Sequence, residues 1–309
     1  SDRERAEVGA IYVQESRFKA RRLGAAYVAR NVAGHLDNTL AGEGAKFRPL
    51  LYCWRGGMRS NAMATILSQI GWRVGVIDGG YRRWRRAVVA DLCDGTAPLK
   101  IVLVDGLTGS AKTDILQRLP ASGVQIIDLE ALAAHRGSVF GADLLCGQPS
   151  QKFFESQLFD QLRRLDMTRP IAVEAESNRI GKIAIPKRLW MAMRAAPRIE
   201  IAASAAARGA YLPRAYADLI AAPDALAGAI ERLRPFHAKE TIEEWRGLAD
   251  KQDFFVLAEQ LMREHYDPLY ERSRKRDNRA PAGTVRADSL DPDELDRIAR
   301  DVAAIIRDL

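Results

Sequence analysis

Residues 100–119 read "KIVLVDGLTGSAKTDILQRL". The opening "KIVLVDG" is a short apolar run closed by Asp105 and Gly106, the pattern of a buried strand meeting a turn. "KTDILQRL" reads as a helix, and "LTGSA" joins the two. Gly106, Gly109, Lys112 and Thr113 follow the phosphate-loop pattern G-x-x-x-x-G-K-[S/T] almost position for position. Backbone N–H groups along Gly106, Thr108, Gly109 and Ser110 would wrap a diphosphate. Lys112 would reach its outer oxygens, and Thr113 would hold Mg²⁺. One position departs: the pattern wants Gly before the Lys, and Ala111 stands there. Its methyl group either crowds the closest phosphate or is tolerated at a negative φ.

Strand and helix signals alternate on both sides of this loop. Before it, "FRPLLYCW" and "RVGVIDGG" read as strands, "SNAMATILSQIGW" and "YRRWRRAVVADL" as helices. After it come strands "VQIIDLE", "RPIAVEAE" and "PRIEIAAS". Strands separated by helices imply parallel sheets, so both halves read as α/β. The Gly, Thr and Pro of "CDGTAPLK" mark a linker. The expected division is a parallel-sheet domain over 1–95, a phosphate-loop α/β domain over 96–205 and a helical, basic C-terminal region over 206–309, without strands. The chain opens on a polar, helical stretch with no initiating Met and no first strand, so some N-terminal sequence is expected to be absent.

In the first half, "LYCWRGGMRS", residues 51–60, puts Cys53 where an apolar run stops. Successive N–H groups of a Gly-permitted turn form an anion nest, and the helix that follows adds its positive end, with Ser60 as its expected N-cap. A thiol there ionises near neutral pH. Arg55 and Arg59 would hold an oxyanion or a chalcogen anion beside it. Cys53 and Arg59 also spell the C-x5-R of cysteine phosphatases, but Tyr52 stands where a phosphatase has His, and no Asp general acid is evident. A sulfur-carrying rhodanese cradle is the other chemistry that fits.

With 309 residues, 47% hydrophobic and 28% charged, the chain has the balance of a soluble globular protein of about two domains. No apolar stretch approaches the roughly 18 residues of a membrane span, so no membrane association is expected. Cys53, Cys93 and Cys146 are too few and scattered for a disulfide frame or zinc site, which suits a reducing cytoplasm. A net charge of +7 and a pI near 9.4 favour a polyanionic partner.

Five stretches in order, "YCWRGGMRS", "GLTGSAKT", "DLEALAAHRGSVFG", "QPSQKFFES" and "VEAESNRIGKIAIP", closely resemble the tRNA 2-selenouridine synthase family. The similarity runs from "ERAEVGAIY" to "HYDPLYERS" near residue 272. The resemblance implies a rhodanese-like domain fused to a P-loop domain, acting on wobble 2-thiouridine in tRNA. It implies transfer of a geranyl group from geranyl diphosphate to the sulfur, then replacement of the geranylated sulfur by selenium from selenophosphate, free or handed over by its synthetase. No tightly bound prosthetic group is expected. Cys53 would receive selenium and deliver it to C2 of the uridine, held anionic by Arg55 and Arg59. Three departures stand out. The Asp-Val-Arg-type strand that opens family rhodanese domains is missing, Ala111 replaces a glycine, and Ala175 stands where an acidic residue is expected. A cysteine phosphatase or sulfurtransferase, a nucleotide-binding P-loop, and a non-enzymatic tRNA-binding protein are the competing readings.

Asp128, Glu130, His135, Arg136 and Ser138 follow a strand, at the edge where α/β ligands bind. Asp128 would share Mg²⁺ with Thr113 through water, and His135 with Arg136 would touch phosphate. Glu174 and Glu176 end another strand and suit a metal-linked carboxylate or a base. Ser150 suits a helix cap as well as a substrate contact. For tRNA the candidates are Arg82, Arg83 and Arg85 beside Tyr81 and Trp84, then Arg232, Arg234 and Lys239, then Arg274, Lys275 and Arg276.

Overall fold

The computed structural model describes residues 1–54, 57–141, 147–276 and 279–309, without the side chains of Ser273, Lys275 and Arg276. Arg55 and Cys146 thus lie outside the described residues, as do the side chains of Lys275 and Arg276. Two compact units form, Ser1–Val88 and Val89–Leu309.

The first unit opens with helices α1 (Asp2–Gln14) and α2 (Arg17–Asp37). Ser1 and Glu4 form a capping box and Ser16 caps α2, which is why two polar helices start where they do. Strand β1 (Leu50–Leu51), helix α3 (Met58–Gln69), strand β2 (Gly75–Val76) and helix α4 (Gly80–Val89) follow. β1 and β2 pair in parallel as a two-stranded ladder. The strands expected over "FRPLLYCW" and "RVGVIDGG" are present, pared to two residues each. With a single neighbour apiece, their ladder ends where the chain turns away.

The second unit is a five-stranded sheet wrapped by helices. Its strands β3 (Ile101–Asp105), β4 (Gln125–Ile127) and β5 (Ile171–Glu174) precede a small antiparallel hairpin, β6 (Arg179–Ile180) and β7 (Ile183–Ala184). Strands β8 (Arg198–Ala203) and β9 (Gly283–Ala287) complete the sheet. The order is β4-β5-β3-β8-β9, every pair parallel. From β3 the chain fills one side of the sheet and then the other, so a topological switch lies at the carboxyl end of β3, where such sheets bind ligands.

Helices α5 (Lys112–Arg118), α6 (Leu129–Ala133), α7 (Gln151–Arg164) and α8 (Lys187–Ala195) connect the first four of these five strands. Ser150 caps α7, accepting from the Phe153 amide at 3.3 Å. Helices α9 (Ala205–Ala215), α10 (Ala217–Ile220), α11 (Pro223–Glu231), α12 (Lys239–Asp250), α13 (Phe254–Leu261) and α14 (Asp267–Arg276) lead to β9, and α15 (Pro292–Arg307) ends the chain.

Residues 206–309 are therefore not a purely helical extension. β9 alternates buried Val285 and Ala287 with exposed Thr284 and Arg286, an edge-strand pattern too short to read against its charged surroundings. α15 presents Leu295, Ile298, Ala299, Val302 and Ile306 to the core that also holds Ile115 and Leu116 of α5. A second core, around fully buried Trp245, joins Leu219, Leu226, Ile242 and Leu257 of α10–α13 to Phe140.

Candidate functional site

The loop after β3 has the conformation its glycines permit. Gly106 and Gly109 have φ of 157° and 82°. A Cβ on Gly106 would come 2.4 Å from the Ser110 hydroxyl, which is buried beneath it. Ala111 has φ 56°, ψ 32°, so the negative φ considered for it does not occur: it holds the left-handed conformation that a glycine adopts freely. Lys112 opens α5 and its ammonium donates to the Gly106 carbonyl at 2.9 Å, within the loop it would use to meet an anion.

A brace behind the loop was not anticipated from sequence. Buried Asp105 accepts from the Gly106 amide at 2.8 Å, Arg198 at 3.0 Å, Arg274 at 3.2 Å, and the Tyr270 hydroxyl. Burial alone would raise its pKa. These partners, led by Tyr270 and Arg274, outweigh burial and keep it ionised below its usual range. Arg274 also meets Glu200 at 2.5 Å. Two carboxylates thus draw this tRNA candidate inward, with its side chain still 27% exposed. Arg208, 4% exposed, spans Asp267 and the Thr108 carbonyl and pins the loop from the other side.

Carboxylates gather beside Lys112. The Thr113 hydroxyl donates to Glu130 at 2.8 Å, and the Glu130 amide to Glu174 at 3.1 Å. Glu174 is fully buried, and burial pushes its pKa well up. Glu176 rises to about 8 through burial and the neighbouring Glu130, which itself is raised by burial. The pair holds a proton near neutral pH. Gly137, φ 67°, lies against Glu176, where a Cβ would come within 2.8 Å of its carboxylate. Of the residues expected at Mg²⁺, one Asp128 oxygen caps α6 at Ala131 and the other accepts from Gln117 at 2.8 Å, while the Thr113 hydroxyl faces Glu130. Among the described residues, no three His, Cys, Asp or Glu side chains are placed to hold a metal.

His135 accepts from the Gly137 amide at 3.1 Å, and burial lowers its pKa. Arg136 lies over the Tyr216 ring at 5.0 Å and pairs with Asp218 at 2.9 Å, while the Ser138 hydroxyl sits 3.3 Å from that of Tyr216. Lys112, Thr113, Glu130, Arg136, Ser138 and Glu176 all line one cleft of about 1490 Å³, together with Arg194, Arg198, Tyr211 and Arg214. Beside it, sharing Thr108, Leu212, Tyr216 and Tyr266 with the cleft wall, lies a cavity of about 70 Å³ lined by Leu219, Leu226, Leu257, Leu261 and Met262. In the cleft basic side chains outnumber acidic ones; the cavity is apolar.

In the first unit, Cys53 is buried and its Sγ accepts from the Ser60 amide at 3.1 Å. Burial raises the thiol's pKa, but Ser60, the Arg59 amide and the Arg59 charge together bring it below the usual value. Ser60 is not the N-cap of α3. Gly57, φ 76°, occupies that position, and the Ser60 hydroxyl turns back to its carbonyl at 3.0 Å. Of the other basic candidates, Arg82 is exposed and Arg85 half-buried. Arg83 pairs with Asp78, Arg232 donates to the Val139 carbonyl, Arg234 pairs with Glu231 and Lys239 with Glu243.

A parallel sheet whose strand order switches at β3, with a glycine turn leading from that strand to a lysine-headed helix, is an α/β architecture consistent with a P-loop-like domain. Within that class the match is specific. Residues 99–236 fit the family model described as the tRNA 2-selenouridine synthase AAA domain. The chain resembles tRNA 2-selenouridine synthases from Aeromonas salmonicida (strain A449), 37% identical over 204 residues, 65% of this chain and 54% of the relative. The one from Psychromonas ingrahamii is 32% identical over 202 residues, again 65% and 54%. That from Hahella chejuensis is 37% identical over 210 residues, 65% and 53%. The chain spans about half the length of the curated relatives it matches. No helix among the described residues is long and apolar enough to cross a membrane.

Proposed function

We propose that this chain is a tRNA-modifying transferase that converts wobble 2-thiouridine to 2-selenouridine through an S-geranyl intermediate, with a rhodanese-like first unit and a P-loop-like second unit. The observation that carries the reading is the apolar cavity opening beside a phosphate loop. A nucleobase asks its pocket for hydrogen-bond partners; a short isoprenoid asks for aliphatic walls such as Leu212, Leu219, Leu257 and Leu261.

In this reading the loop amides and Lys112 hold the diphosphate of geranyl diphosphate and stabilise its charge as the carbon–oxygen bond breaks. The uridine sulfur takes the geranyl carbon, and alkylation at sulfur releases the N3 proton. Glu130, whose proton affinity is raised by burial, lies beside Glu176 in the same cleft to receive it. The Cys53 thiolate then adds at C2 and the geranylated sulfur departs as geranylthiol; the selenium of selenophosphate displaces Cys53 in turn, and water cleaves the Se–P bond to release phosphate. The excess of Lys and Arg, 47 against 40 acidic residues, suits tRNA as substrate.

The test is mass analysis of nucleosides after incubation with 2-thiouridine tRNA and geranyl diphosphate, beside calorimetry of geranyl diphosphate and ATP on wild type and Lys112→Ala. Loss of a charge-assisted contact of about 1.5–3 kcal/mol should slow geranylation roughly ten- to a hundredfold. ATP binding that depends on Lys112 while geranyl diphosphate binding does not would make the loop a nucleotide site.

A further inference from the structure

The first unit carries an aromatic face that the chemistry above leaves unused. Trp54 follows Cys53 directly, and its indole stacks on Tyr81 with ring centroids 4.3 Å apart and planes 8° from parallel. Tyr81 covers one indole face, yet Trp54 remains 50% exposed. Both rings are tied to the thiol. Trp54 is bonded to Cys53 through the chain, and the Tyr81 amide donates to the Cys53 carbonyl at 2.9 Å. A Cβ on Gly80 would come 2.2 Å from that carbonyl, so glycine there lets α4 start against the cysteine.

The surroundings are cationic. Arg59 stands near enough to Cys53 for its charge to favour the thiolate. Arg82 and Arg86, exposed on the helix that bears Tyr81, add two further charges. A flat, pre-oriented π face amid exposed arginines is the surface on which unpaired bases stack, the arginines holding the flanking phosphates.

We propose that the exposed indole of Trp54 is the platform for the acceptor uridine, turned out of its loop and held with one ring face covered while its C2 is presented to the Cys53 thiolate. The proposal rests on the tRNA reading above. Tyr81 acts as a positioning residue that fixes the indole plane before the base arrives, which reduces the ordering cost of binding.

The experiment uses the full chain and two anticodon stem-loops at one fixed salt concentration, one with 2-thiouridine at the wobble position and one abasic there. Wild type should bind the intact loop roughly tenfold more tightly, the weight of one stacked base. Trp54→Leu should lose that preference, and the binding-linked quenching of indole fluorescence, while keeping its affinity for the abasic loop. Trp54→Phe should retain most of the preference. A Trp54→Leu protein that still discriminates the two loops like wild type overturns the platform alone and leaves the exposed indole to a protein contact. A wild type that binds neither loop overturns the tRNA reading, and the platform with it.

Discussion

Arg208 on α9 grips both carboxylate oxygens of Asp267 on α14, at 2.9 and 2.8 Å, and its remaining contact is the Thr108 carbonyl at 3.1 Å. One buried guanidinium thus holds a loop residue and two helices together. Removing one partner of such a pair leaves the other charge uncompensated, at a cost of about 3 kcal/mol or more. Arg208→Ala is expected to lower the urea midpoint accordingly and to weaken pyrophosphate binding. Arg208→Lys should recover little, since an ammonium cannot make the forked contact.

Ala111 at φ 56° carries a left-handed strain of about 1–2 kcal/mol, against about 0.8 kcal/mol for the methyl group that burial stabilises. Ala111→Gly should therefore change unfolding stability by no more than about 1 kcal/mol while tightening pyrophosphate, as the amides of the loop gain room. Ala111→Val, β-branched in the same conformation, should destabilise clearly. Urea denaturation with calorimetry on the same preparations checks both.

Glu176 has a folded-state pKa of about 8 against 4.5 for the free side chain. Between those values the folded state binds more protons than the unfolded one, so this group's contribution to stability falls as pH rises through that window. The limiting slope is about 1.4 kcal/mol per pH unit. Glu176→Gln removes the proton exchange, so the stability of the variant relative to wild type should climb from pH 5 to pH 8. A relative stability that stays level across that range would mean Glu176 is ionised in the folded protein.

For Cys53, alkylation by iodoacetamide followed by peptide mass analysis should give a pH midpoint below that of an ordinary thiol, about 8.5. Arg59→Ala should shift the midpoint upward by removing a charge that favours the thiolate. Cys53→Ser is expected to abolish selenium transfer and leave geranylation intact, because only the first needs a thiolate. Equal loss of both activities would join the two chemistries at one site.

The sequence alone determined the parts whose causes are local. β3, the glycine turn and α5 were legible because a buried apolar run, a φ that only glycine adopts readily and a lysine at a helix start follow one another within 20 residues. The Ser150 cap and the place of Cys53 between a strand and a helix were legible for the same reason. What the tertiary structure decided are the partners. Asp105 and Tyr270 stand 165 positions apart, and no pattern near either one announces the other. Arg274 read as one member of a surface charge run until the brace behind β3 drew it between Asp105 and Glu200. β9 became a strand because β8 offered it an open edge, and Ala111 took a left-handed turn because α5 must begin where Lys112 can face the loop. Local sequence sets which conformations are cheap. Which of them is used, and which charge meets which, is set when the sheet closes and brings distant segments within hydrogen-bond reach, since the desolvation of each buried group is offset only by the partner that folding delivers.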